Sequence, residues 1–167
     1  MRPRYPVVLR YAVVCSVIAF AGCGGTPPAL DAALVLEEVV TGYHDGGVQG
    51  GQRRLLPTIA FRVRNQADSS VSSVQFNAVF RVIGEDEELG SQLIRGIDSD
   101  GLAPEATTDR YVLRSTFGYS GEQARVEMFQ HQGFQDVQVE LFGKAGGAQW
   151  VKLAEHVVER QLVNITS

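Results

Sequence analysis

Residues able to carry acid–base or nucleophilic chemistry are few in this chain, and they are scattered. The histidines are His44, His131 and His156. None forms a His-x-x-x-His pair or neighbours a cysteine, so a zinc site would have to be assembled from remote residues. Hydrolysis by a nucleophile needs a base beside it and a third group to orient that base. Gly118-Tyr119-Ser120-Gly121 lacks the Gly-x-Ser-x-Gly spacing that presents such a serine. Asp98-x-Asp100-Gly101 alternates carboxylates before a glycine, as a loop around a hard cation does. Leu102 and Ala103 follow where further ligand and turn positions would fall, and a polar turn is the expectation. The glycines from Gly46 to Gly51 are not followed by Lys-Ser or Lys-Thr, so they do not form a phosphate-cradling loop. No catalytic residue, cofactor or metal is expected. Glu85-Asp86-Glu87-Glu88 remains: four successive carboxylates that read as a solvated hairpin tip, or as a docking patch for a basic partner.

The sulfur chemistry lies at the N-terminus. Cys15 and Cys23 are the two cysteines, so a disulfide framework is not expected to hold the fold. Arg2, Arg4 and Arg10 precede an uncharged apolar run from Tyr11 to Ala21, the pattern of an export signal. That run is too short for the roughly 20 residues a membrane-crossing helix needs. It ends in Phe20-Ala21-Gly22-Cys23, which resembles the lipobox of bacterial lipoproteins, although Phe20 stands where leucine is usual. The resemblance implies that residues 1–22 are removed and that Cys23 becomes the acylated first residue. Several acyl chains anchor firmly, because each buried methylene contributes about 0.8 kcal/mol. The resemblance also implies, with Gly24 following the cysteine, an outer-membrane lipoprotein facing the periplasm.

The elements that would position any site read mainly as strands. At 167 residues, 44% hydrophobic and 20% charged, the chain has the composition of one globular domain. Leu34 to Thr41 is β-rich and ends at a glycine cluster expected to be a flexible loop. Ile59, Phe61, Val63 and Asn65 alternate with Ala60, Arg62 and Arg64; Val74, Phe76, Ala78, Phe80 and Val82 repeat the pattern. The polar turn between these runs predicts an antiparallel pair. Leu89 to Ile97 and Thr107 to Thr116 add less regular strands. Ser120 and Gln123 have the spacing of a capping box before a short helix that stops near Gly133. Val137, Val139 and Leu141 alternate again, and the segment from Trp150 to Leu162 fits strand or helix, with a strand favoured as the second arm of a hairpin.

The predicted fold is mainly β: an immunoglobulin-like antiparallel β-sandwich of about seven strands with one short connecting helix. The run from Thr58 to Leu113 resembles FxLYD-type and related bacterial immunoglobulin-like envelope domains, which implies a fold and leaves function open. Residues 23–33 are read as the lipidated cysteine and a linker, and residues 34–167 as the sandwich. Loss of Arg2, Arg4 and Arg10 leaves 12 basic against 19 acidic residues. So acidic a domain is not expected to bind nucleic acid, and an anionic membrane surface repels it. The leading expectation is a non-catalytic envelope lipoprotein that binds another envelope protein through an exposed aromatic patch near Phe117 and Tyr119 or through the Glu85–Glu88 run. A small-ligand or lipid carrier is the alternative, with a deep apolar pocket between the sheets, and an envelope enzyme is a third.

Overall fold

The computed structural model of the chain describes residues 29–165. After one helical turn, α1 (Leu30–Ala33), come β1 (Leu34–Gln49), β2 (Gln52–Asn65), β3 (Val74–Val82), β4 (Glu88–Ile97), β5 (Tyr111–Arg114) and β6 (Tyr119–Gly121). A second turn, α2 (Arg125–Met128), leads to β7 (Val137–Ala145) and β8 (Val151–Val157). The strands make two antiparallel sheets. In one, β2 lies between β1 on one side and β5 and β6 on the other; the second has the order β4-β3-β7-β8. The fold is mainly β, as the periodicity predicts, with eight strands and two short helices among the described residues.

Alternation explains the core. Ile59, Phe61 and Val63 of β2 face Val74, Phe76, Ala78 and Phe80 of β3 and Val139 and Leu141 of β7, all fully buried. Phe61 and Phe76 meet edge to face across the sheets, 5.7 Å between ring centres. Burying each such ring contributes on the order of 2–3 kcal/mol.

Several local expectations are corrected. β2 and β3 do not pair: they lie in different sheets, and residues 66–73 carry the chain across the sandwich. Two strands with matching apolar faces bury them by stacking as effectively as by pairing. Asn65 decides for the crossing. Fully buried, it donates through Nδ2 to the carbonyls of Ser69 (2.9 Å) and Leu102 (2.8 Å) and accepts from the Ala67 N–H (3.0 Å).

The Gly46 to Gly51 segment is not a loop. β1 continues through it to Gln49, and Gly50 and Gly51, at φ 60° and 83°, close a two-residue hairpin turn. Ser120 does not cap a helix; it pairs with Arg54 as part of β6, and α2 starts after Ala124 without a side-chain cap. Thr107 to Thr116 shortens to β5, and 151–157 is a strand paired with β7.

The pairings also fix the two ends of the sandwich. α1, the 66–73 crossing and the β7–β8 turn share one end, where Ala29, Leu30, Ala33, Val71, Ala145 and Val151 line a cavity of about 520 Å³. The β3–β4 turn, the β5–β6 bend and α2 form the other.

Candidate functional site

The second end holds the residues singled out from the sequence. β3 runs out at Val82, the chain turns at Gly84 (φ 90°), and β4 starts at Glu88. Ile83 N–H donates to Asp136 O (2.9 Å) and Glu85 N–H to Val82 O (3.0 Å), and Gln135 Nε2 donates to Glu85 Oε1 (3.4 Å). Glu85, Asp86, Glu87 and Glu88 are all exposed. The strand's own cation, Arg81, reaches the tip through backbone, donating from Nε to the Asp86 carbonyl (3.3 Å), while its guanidinium pairs with Glu140 on β7, which Lys152 also contacts at 3.1 Å. Among the described residues no Arg, Lys or His nitrogen lies within ion-pairing distance of the four tip carboxylates, whereas Glu37, Glu38, Asp45, Glu105, Asp136, Glu140 and Glu155 all have partners.

Beside this tip the bend between β5 and β6 projects Phe117. A Cβ on Gly118 would stand 2.0 Å from the Leu55 carbonyl oxygen, and one on Gly90 would stand 2.5 Å from Ser115 Oγ. The bend therefore packs flat against β2 and β4, and Phe117 points out with 61% of its surface exposed. Arg54 ties the bend down through Thr116 O at 3.2 Å. Val82, Glu85, Glu87, Glu88, Leu89 and Phe117 enclose a depression of about 230 Å³.

Val82 and Leu89 also line a second, inner cavity of about 90 Å³ that reaches between the sheets to Tyr43, Pro57, Tyr119, Gln135 and Val137. Tyr119 is half-buried, its hydroxyl 2.7 Å from His131 Nδ1 and its ring centre 5.1 Å from that of Phe134. Tyr43 is 1% exposed and packs on Phe129 and Phe134, yet its hydroxyl is buried without a hydrogen-bond partner. Burial, and secondarily the Asp136 charge, push its pKa far above the ordinary phenol value, so the hydroxyl stays protonated.

The acidic run and Phe117 are thus brought together, with Tyr119 behind them. Phe129 and Phe134, which follow these aromatics in the chain, are core. Tyr43, Leu89 and Gln135 are the residues that sequence reasoning missed. For Tyr43 a signal existed in the continuation of β1 past Thr41. Cys23 lies outside the described residues. The histidines stand apart: His44 on β1, His131 after α2, and His156 on β8. Burial, then the nearby Arg114 charge, lower the His44 pKa from 6.5. Asp98 accepts from the Asp100 N–H at 3.1 Å, the local bond of a polar turn. Among the described residues no group of three or more His, Cys, Asp or Glu could share a metal ion, and no helix is long and apolar enough to cross a membrane.

No protein-family profile matches the chain, and a search of curated proteins finds no match. Solved structures that match the chain include a Northeast Structural Genomics Consortium target, SoR45, at TM-score 0.44 and 10% identity, covering 83% of this chain and 96% of that one. Another is a protein from Archaeoglobus fulgidus at TM-score 0.41 and 13% identity, covering 77% of this chain and 100% of that one.

Proposed function

We propose that this chain is a lipid-anchored cell-envelope protein whose β-sandwich is a non-catalytic module for binding another envelope protein. The observation that carries the binding half of this reading is the juxtaposition of Phe117, 61% exposed, with four carboxylates that lack a cationic partner among the described residues. A large aromatic held out in water beside exposed carboxylates that have no ion-pair partner gains little from burial, and such patches mark interaction surfaces. The anchor half is supported by the residues around Cys23. Geometry joins the two. The chain enters the sandwich at the α1 end, and the nine residues of β3, at about 3.3 Å each, set the acidic tip roughly 30 Å away. A tether at Cys23 would leave the tip facing away from the bilayer. The carrier alternative draws less support, because side chains of Phe61, Phe76 and Phe80 fill the space between the sheets and the large apolar cavity lies at the α1 end.

Both halves are tested in cells. Cys23→Ser should abolish fatty-acid labelling and membrane retention; undiminished labelling rejects the anchor. A photoreactive benzoylphenylalanine in place of Phe117 should crosslink one discrete protein, and the same group in place of Ala148 at the other end should not. Identical products from both positions, or none from position 117, reject the binding surface.

A further inference from the structure

The opposite end of the sandwich carries a site of a different kind. The cavity of about 520 Å³ there has the size of a small-ligand pocket, and Ala29, the first described residue, lines it. Leu30 and Ala33, 8% and 1% exposed, form its buried wall. Its polar lining, Ser69, Ser70, Ser72 and Gln149, is exposed. An apolar interior with a neutral polar mouth suits a hydrocarbon chain that ends in an uncharged linkage. Among the lining residues no side chain is charged, so the carboxylate of a free fatty acid finds no cation there to pair with.

Two further observations name the source of such a chain. Cys23 stands six positions before Ala29, no more than about 20 Å away at full extension, and Gly24 and Gly25 allow a reversal of direction beside it. The single tryptophan, Trp150, lies between the lining residues Gln149 and Val151, 41% exposed, with Lys144 Nζ 5.7 Å from its ring centre. Exposed tryptophan settles where water meets hydrocarbon, and a lysine beside it suits anionic headgroups. We infer that the α1-end cavity takes one acyl chain of the Cys23 anchor, folded back into the protein while the remaining chains enter the bilayer. This rests on the reading of Cys23 as acylated. A chain held inside the domain docks the α1 end on its own anchor, and so keeps the acidic tip pointing outward where a free tether would let the sandwich tumble.

Photolabelling through the anchor itself is the test. Cells are grown on a palmitate analogue with a mid-chain diazirine, and the full-length protein is purified in mild detergent, irradiated, digested and mapped by mass spectrometry. Wild-type protein should carry intramolecular adducts on the peptides that hold Val71 or Ala145 to Val151. Ala148→Trp, which places a bulky ring in the cavity, should lose those adducts while keeping the acyl label. Val48→Trp on the far hairpin should keep both. Adducts confined to detergent, adducts spread evenly over the surface, or adducts undiminished in Ala148→Trp overturn the inference; should that variant not fold, the wild-type map decides alone. Cys23→Ser protein irradiated with the free diazirine acid should not be labelled in the cavity. Equal labelling there assigns the space to a free fatty acid and overturns the inference. Wild-type protein that takes up no analogue refutes the anchor and the inference with it, whereas label at Cys23 without cavity adducts refutes the inference alone.

Discussion

Gly118 is the residue at which one methyl group should do most to the site. The new carbon would meet the Leu55 carbonyl at 2.0 Å, an atom fixed in the β1–β2–β6 hydrogen-bond ladder, so the bend must move instead. Gly118→Ala should cost about 1–3 kcal/mol of stability, as overpacking does, and should displace Phe117, both readable from urea unfolding and crosslinking yield. Phe117→Ala should leave stability within about 0.5 kcal/mol while abolishing partner capture, because an exposed ring contributes little to the core. Phe76→Ala, fully buried, should cost about 3–5 kcal/mol. His44 supplies a pH dependence. Burial and Arg114 lower its pKa from 6.5, so the folded state holds fewer protons than the unfolded chain just below that value. Its contribution is complete above pH 6.5 and is lost as pH falls through the folded value. Urea midpoints should drop between pH 7 and 5, and His44→Gln should flatten that slope. The carboxylate Asp45, held low chiefly by its hydrogen bond to Arg125, acts only in the more acidic range below 3.8.

Among the elements, the β1–β2 hairpin is the frame on which the site hangs: β2 carries β5 and β6, and the bend between them presents Phe117. Its turn depends on Gly50 and Gly51 at positive φ with no neighbour within 4 Å of a built Cβ, so only backbone strain opposes a side chain. Alanine at either position should cost about 1–2 kcal/mol, the penalty for a left-handed L-residue, and lower Tm by several degrees. The β3–β4 turn behaves oppositely. Its charges repel one another in solvent, so replacing Glu85, Glu87 and Glu88 with glutamine should leave stability unchanged or slightly raised while binding is lost. A fall of more than about 1 kcal/mol on that triple change would mean that the carboxylates hold the turn together.

For the whole molecule, the proposed binding and anchoring roles would act through different physics. Attraction between an exposed acidic tip and a basic partner is screened over about 8 Å at physiological ionic strength. Partner capture at position 117 should therefore weaken steeply between 50 and 300 mM salt, measured as crosslinking yield. Under the proposed anchor, membrane retention through Cys23 should be insensitive to the same salt, since it would rest on acyl burial. If both fell together, electrostatics and not lipid would hold the protein in place.

Much of the architecture was legible locally. Val74 to Val82 and Val137 to Leu141 are strands where period two says so, because alternation of side chains across a sheet is a property of neighbouring residues. The acidic tip was legible for the same reason: four adjacent carboxylates cannot be buried. Which strands pair was not legible. β2 and β3 have faces equally suited to pairing or stacking, and the choice falls to Asn65, whose buried side chain finds its partners on the crossing and on Leu102, distant in sequence. The site depends on separations longer still. Glu85 and Phe117, some thirty positions apart, share a depression only because two sheets stack and two turns meet at one end. Tyr43 lies under them because β1 does not stop at its glycines. Sequence determined which residues must be wet and which must be dry; tertiary packing alone decided which of them are neighbours, because contact between distant segments is set by how two layers fit.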